Sequence, residues 1–185
     1  MHRPIAGGHG PHPPSGAAPR QVRVHALERV QRLPRPPEEV FELFADASRL
    51  EEITPPWLSF HLVTPGPIEM GVGTLIEYRL RLHGVPIRWL ARIDVWEPGR
   101  RFVDVQVRGP YRLWRHEHTF ERDGRGTLVR DVVRYALPRG PLGALAHFAF
   151  VRRDLDRIFD HRHDAVARLV EGAGGEAPAA GPFIK

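Results

Sequence analysis

"WRHEHTFERDGRGTLVRDVVRYAL", residues 114–137, reads as two strands and a turn, and it decides which side of a sheet is the inside. Trp114, His116, His118 and Phe120 alternate with Arg115, Glu117, Thr119 and Glu121. On the second strand Val129, Asp131, Val133, Tyr135 and Leu137 alternate with Arg130 and Arg134. Successive side chains of a strand point to opposite faces, so each set shares one face. Matching the two apolar faces across a four-residue loop, 123–126, sets His118 opposite Asp131, His116 opposite Val133 and Trp114 opposite Tyr135. A slip of one residue would turn Arg130 and Arg134 inward, and burying unpaired cations is costly.

The preceding hairpin can be placed the same way. In EPGR (97–100), Pro98-Gly99 as a two-residue loop pairs Glu97 with Arg100. Val95 then faces Phe102, Ile93 faces Asp104 and Ala91 faces Gln106, on the side of Trp89 and Ile87. Arg88, Arg92 and Asp94 occupy the other side, which is therefore the wet one. Asp104 and Gln106 join His116, His118 and Asp131 on the inner face. Five inward polar side chains need partners or water, and a ligand pocket is the ordinary place for them.

The flanking chain supplies the rest of the architecture. VRVHALERVQRL (22–33) alternates as a first strand. In LPRPPEEVFELFAD (33–46), Pro37 opens a helix, Glu38 and Glu39 suit its positive N-terminus, and Val40, Phe41 and Phe44 form its apolar stripe. A second short helix is expected over 48–53, with Ser48 as N-cap and Glu51 at capping-box spacing, stopped by Pro55 and Pro56. Strands follow at 58–64, 73–82, 85–96, 101–108, 113–122 and 127–137. From about Leu142 a long helix carries Leu145, Phe148, Leu155, Ile158, Phe159, Val166 and Leu169 at spacings of three and four. The order predicts an α+β fold: an antiparallel meander with an Arg-rich outer face, and an inner face covered by the long helix.

Composition narrows the chemistry. There is no cysteine, so disulfides, thiolate catalysis and Cys-ligated zinc are excluded. No apolar run approaches the ~20 residues that span a bilayer, and MHRPIAGGHGPHPPSGAAPR has no signal-peptide core, so a cytoplasmic location is expected. Residues 1–21 and 172–185 read as flexible tails around one domain, 22–171. The net charge of +5 comes almost wholly from arginine, Lys185 being the one lysine. Those arginines alternate with apolar residues as on a solvated sheet, and no recognition motif accompanies them, so no specific nucleic-acid partner is expected.

From about residue 22 to 171 the chain resembles the helix-grip fold of the SRPBCC superfamily, which includes START, polyketide cyclase-dehydrase and birch-pollen-allergen-like proteins. The resemblance rests on the element order and on LPRPPEEVFELFAD at the step from first strand to first helix. GPYRLWRHEHTFE (109–121), GTLVRDVVRYALP (126–138) and GPLGALAHFAF (140–150) are similar to a small bacterial ligand-binding subfamily. The resemblance implies a curved sheet of about seven strands gripping the C-terminal helix, with a cavity between them. It also implies a hydrophobic or amphipathic ligand such as a lipid, quinone or polyketide-like molecule. Some such domains accompany sugar-nucleotide epimerase-like proteins, which makes one a candidate partner; no Rossmann glycine fingerprint occurs here, so the resemblance implies no epimerase activity for this chain.

The inner face then has several readings. In the binding reading, Tyr78, Trp89, Phe102 and Phe120 hold the apolar body of a ligand, while Asp104, Gln106, His116, His118 and Asp131 orient its polar end between Trp114 and Tyr135. In the enzyme reading, a cyclase or dehydratase uses His118 as general base with Asp131 fixing its tautomer, and Tyr78 or Tyr135 stabilises an oxyanion. In the structural reading, His118 and Asp131 are a buried pair that organises the sheet. His-x-His also presents two imidazoles to one side, a metal-ligand geometry, but Asp131 stands beside only one of them. The binding reading is adopted, without catalysis, metal or cofactor. An Arg-rich surface beside a lipid pocket would suit transient contact with an anionic membrane. Trp57, after two prolines, is either a lid over the pocket mouth or a core anchor.

Overall fold

A computed structural model describes residues 22–138 and 150–172. Seven strands form one antiparallel sheet in the order β1-β7-β6-β5-β4-β3-β2. They are β1 (His25–Leu33), β2 (His61–Leu62), β3 (Leu75–Leu82), β4 (Val85–Glu97), β5 (Arg101–Arg108), β6 (Leu113–Asp123) and β7 (Gly126–Ala136). Helix α1 (Pro37–Ala45) follows β1, and α2 (Arg152–Gly172) closes the described chain. This is the expected α+β helix-grip arrangement. The expected helical start near Leu142, with Leu145 and Phe148, lies outside the described residues, as do the expected tails apart from Gly172.

Helix α1 forms as its residues dictate, with Pro37 in the first turn, Glu38 and Glu39 at the positive end, and Val40, Phe41 and Phe44 buried. The second helix differs from expectation. A 3-10 turn over Ala47–Leu50 replaces the helix expected over 48–53, and Asp46 rather than Ser48 caps it, accepting from the Ser48 amide at 3.0 Å. A carboxylate at that position satisfies the first free amide one turn earlier. The strand expected at 58–64 shrinks to His61–Leu62, because Pro56–Leu58 forms another 3-10 turn and Ser59 takes a left-handed φ of 43°.

Both hairpins place the expected residues inward, by slightly different turns. Between β6 and β7 the ladder runs on to Asp123 opposite Gly126, leaving a two-residue loop with Gly124 at φ +61°. Shortening the loop by two preserves the parity, so His118 still faces Asp131 and Trp114 faces Tyr135. Between β4 and β5 the loop has three residues, with Gly99 at φ +72°, so Glu97 pairs Arg101 and Val95 pairs Val103. The expected Glu97–Arg100 and Val95–Phe102 pairs do not form. A bulge at Asp94 absorbs the extra residue and restores Ile93 to Asp104 and Ala91 to Gln106.

The core is solid at one end. Phe41 and Phe44 pack with Ile93, Phe102, Phe120 and Val129 of the sheet and with Val166 and Val170 of α2. Towards its N-terminal half, α2 rests Leu155 and Phe159 on Val133 and Tyr135. On the outer face the arginines meet carboxylates: Arg88 with Glu77 at 2.7 Å, Arg92 with Asp94 at 2.8 Å, Arg130 with Glu28 at 2.7 Å. Three acids of α2 reach across to the sheet. Asp156 and Asp160 bind Arg29 of β1 at 2.8 and 3.0 Å, and Asp154 meets His83 of the β3–β4 turn at 2.7 Å. These contacts clip the helix to both flanks of the sheet. The exposed pairs among these, such as Arg130 with Glu28, are worth about 0–1 kcal/mol each.

Candidate functional site

Between the sheet and the N-terminal half of α2 lies a cavity of about 190 Å³. It exists because Leu155, Ile158, Phe159 and Arg162, one stripe of α2, stand opposite β3 to β6 without filling the space between. Of the side chains expected to face a ligand, Tyr78, Trp89, Phe102, Asp104, Trp114, His116 and His118 line it. Gln106, Phe120, Asp131 and Tyr135 do not. Gln106 instead braces the β5–β6 turn, donating from Nε2 to the Tyr111 carbonyl at 2.6 Å and accepting from the Tyr111 amide at 3.2 Å. Phe120 belongs to the aromatic core and Tyr135 packs beneath α2. Trp57 is half exposed outside the cavity, with its ring beside His161 and the Arg157 guanidinium 5.2 Å above it.

Four polar residues on three adjacent strands form the centre of the site. Asp104 of β5 is register partner to His116 of β6, and His118 of β6 is register partner to Asp131 of β7. Alternation in the sequence sets Asp131 beside one histidine; the structure sets it on both. Its Oδ1 lies 2.5 Å from His118 Nδ1 and 3.5 Å from His116 Nε2. On the other side of the rings, Asp104 Oδ2 lies 3.4 Å from His116 Nδ1 and 3.6 Å from His118 Nε2. The two imidazoles, 3.8 Å apart at their centroids, thus stand between two carboxylates. The contact at 2.5 Å has the distance but not the angles of a hydrogen bond. Phe102 stacks on His118 at 4.2 Å and Phe159 meets His116 edge-on at 5.3 Å, so the rings are held by packing.

Charge in this cluster divides unevenly. Burial pushes both carboxyls up, but the neighbouring histidines outweigh it and hold Asp104 and Asp131 below the usual carboxylate range. Burial pulls His118 down, yet Asp131 and Asp104 overcome that and raise it above the ordinary value. Burial also lowers His116, and the positive charge of His118 lowers it further, so it stays neutral more readily. His118 therefore contributes stability that is complete below 6.5 and lost as pH rises through its folded pKa. His116 contributes above 6.5 and loses it as pH falls. A ring-nitrogen NMR titration of chelator-treated protein is expected to resolve two histidines, His118 protonating above 6.5 and His116 below it. Coincident midpoints near that value would mean the carboxylates do not act on the rings.

The inner-face alternation missed Arg162. It lines the cavity, its Nε is buried without a hydrogen-bond partner among the described residues, and its guanidinium lies 5.8 Å from the Phe44 ring. Trp89 Nε1 is orphaned in the same way. The signal was present in the periodicity: Arg162 falls on the stripe of Leu155, Phe159 and Val166, three and four residues apart. Tyr111 also lines the cavity, where burial pushes its phenol well above the ordinary range. One donor atom each from Asp104, His116 and His118 lies within 4.8 Å of the other two, close enough to share an ion.

Comparison with known proteins agrees with this fold. The model of the family "Polyketide cyclase / dehydrase and lipid transport" matches residues 33–161. No curated protein sequence matches the chain significantly. Among solved structures, TTHA0849 from Thermus thermophilus is 20% identical with a TM-score of 0.67, over 82% of this chain and 100% of that one. The Zhui aromatase/cyclase from Streptomyces sp. R1128 is 19% identical with a TM-score of 0.62, over 84% and 100%. A Thalictrum flavum norcoclaurine synthase point mutant, in complex with a transition-state analogue, is 11% identical with a TM-score of 0.63, over 84% and 99%. At these identities the structural likeness speaks for the fold alone. No described helix is long and apolar enough to cross a membrane, and neither the family match nor the described structure supports a membrane contact or an epimerase-like partner. The family match spans more than half of the 185 residues, from the end of β1 into α2, and the sheet and helix it covers are those that enclose the cavity: the chain belongs to the polyketide cyclase / dehydrase and lipid transport family.

Proposed function

We propose that the chain encloses a small amphipathic molecule, its apolar part among Tyr78, Trp89, Trp114, Leu155 and Phe159 and its polar end at Arg162, Asp104, His116 and His118. The observation that carries this reading is a cavity of about 190 Å³ with apolar walls and buried polar atoms, Arg162 Nε and Trp89 Nε1, that have no partner among the described residues. Leaving such groups unpaired is costly, and a ligand acceptor removes the cost. A void of about 150 Å³ takes a benzene-sized molecule, so the enclosed part is on the order of one ring with short substituents. An anionic or strongly accepting head group suits Arg162. Calorimetric titration with 4-toluenesulfonate, one aromatic ring with an anionic head, is expected to give one site that weakens about tenfold or more in Arg162→Gln, roughly one lost charge-assisted hydrogen bond. Unchanged affinity in that variant would place the ligand elsewhere.

One observation favours catalysis as the second reading. Asp131 lies against Nδ1 of His118 while Nε2 faces Asp104, a cavity-lining residue. Because His118 is raised and His116 lowered, His118 suits proton donation and His116 the general-base role, the reverse of the part assigned from the sequence. A cyclase or dehydratase of this kind predicts turnover that collapses in His118→Ala with ligand affinity retained.

A further inference from the structure

We infer that Asp104, His116 and His118 form a site for a divalent transition-metal ion of the zinc type, with its fourth position open to the cavity. Three observations converge on it, and none depends on the ligand proposed above. The first is spacing. Asp104 Oδ2 is 3.4 Å from His116 Nδ1 and 3.6 Å from His118 Nε2, too long for hydrogen bonds. Zinc bonds of about 2.0–2.1 Å at tetrahedral angles put neighbouring ligand atoms about 3.3 Å apart, whereas octahedral angles would put them at about 2.9 Å. Both distances from Asp104 are thus close to the edge of a tetrahedron, and one donor atom from each of the three residues lies within 4.8 Å of the other two.

The second observation is Asp131. It touches the far nitrogen of each imidazole, His118 Nδ1 and His116 Nε2, and it does not line the cavity. A histidine that binds metal through one nitrogen commonly offers the other to a carboxylate, which fixes its orientation and raises its basicity. Asp131 stands in that place for His118, while its 3.5 Å from His116 is, like the distances from Asp104, longer than a hydrogen bond. Its 2.5 Å approach to His118 is too short for a ligand–ligand edge, so Asp131 is the supporting group and Asp104 the ligand. The third observation is burial. His116 is 3% exposed and His118 1%. Buried imidazoles held in place by Phe102 and Phe159 are positioned before any ion arrives.

Two imidazoles and one carboxylate favour zinc, iron, nickel or copper over magnesium and calcium, which require more oxygen ligands. The donor set carries one negative charge, Asp131 behind it a second, and Arg162 adds a positive one at the cavity wall, so a divalent ion leaves the site net positive. A divalent ion there would therefore hold an anionic oxygen, hydroxide or a ligand carboxylate or enolate, in the open position.

The test is titration of chelator-treated, full-length protein with Co²⁺, read by visible absorption. The expected result is one equivalent bound, with the intense bands of four-coordinate cobalt. Affinity should fall more than about 100-fold in His116→Ala and in Asp104→Asn, and about 10- to 100-fold in Asp131→Asn. The chain also carries His2, His9 and His12. Cobalt binding that survives in a His116→Ala, His118→Ala double variant would assign the ion to those residues and overturn the site. Should a variant fail to fold, ring-nitrogen NMR of the wild type with Zn²⁺ decides: His116 Nδ1 and His118 Nε2 shift if they are ligands, and unmoved resonances overturn the proposal.

Discussion

Replacing Phe41 by alanine is expected to cost about 3–5 kcal/mol of folding stability, the range for a buried phenylalanine that leaves a void. Phe41 is 4% exposed on α1, and its ring meets Trp96, Phe102 and Phe120 edge-on at 5.1, 5.9 and 5.3 Å. The residue joins α1 to β4, β5 and β6, so truncation empties a space bounded by three strands that cannot collapse together. Against a typical domain stability of about 5–15 kcal/mol this is a large share. Urea denaturation should show a lower midpoint with an unchanged slope. Phe41 does not line the cavity, so 4-toluenesulfonate affinity should persist in the folded variant. A loss below about 1 kcal/mol would mean that α1 is not docked on the sheet in solution.

Asp131→Ala is expected to cost about 3 kcal/mol near pH 5.5 and clearly less near pH 8.5. The side chain lies against His118, and removing one partner of a buried pair strands the other's charge. The lower end of the usual range of about 3–5 kcal/mol applies because Asp131 keeps 14% exposure, through which water screens the charge. The pH dependence follows from the directions of the shifts. His118 is raised, so the pairing stabilises fully below 6.5 and fades as pH rises through its folded pKa. Asp131 is depressed, so its share is present above 3.8 and is lost as pH falls through its folded value. Between those limits both are charged. Chemical denaturation of wild type and variant at the two pH values measures the difference. Equal losses at both would show that the pair carries no charge in the folded protein.

Much of this architecture was legible because strand alternation is local. The parity of WRHEHTFE against TLVRDVVRYAL has one solution that keeps Arg130 and Arg134 in water, and a loop of two or four residues preserves it. The Pro98-Gly99 hairpin shows how far that logic goes: the turn differs from expectation by one residue, yet the bulge at Asp94 returns Asp104 and Gln106 to their expected partners. The apolar face outweighed the turn chemistry. The short elements were less legible, since Asp46 and Ser48 are both good caps and only the backbone path chose between them.

The sequence by itself determined the element order, the inner face, the apolar stripe of α2 and the His118–Asp131 partnership, because each follows from periods of two or 3.6 residues within a hairpin or a helix. Tertiary structure alone decided the rest. The β5–β6 register brought Asp104 to His116, across a turn, residues 109–112, that carries no parity signal of its own. The approach of α2 to the sheet set the cavity and placed Arg162 in its wall, and the path of the β5–β6 turn drew Gln106 to Tyr111. Alternation says which way a side chain points; only the distance between packed layers says what it meets there.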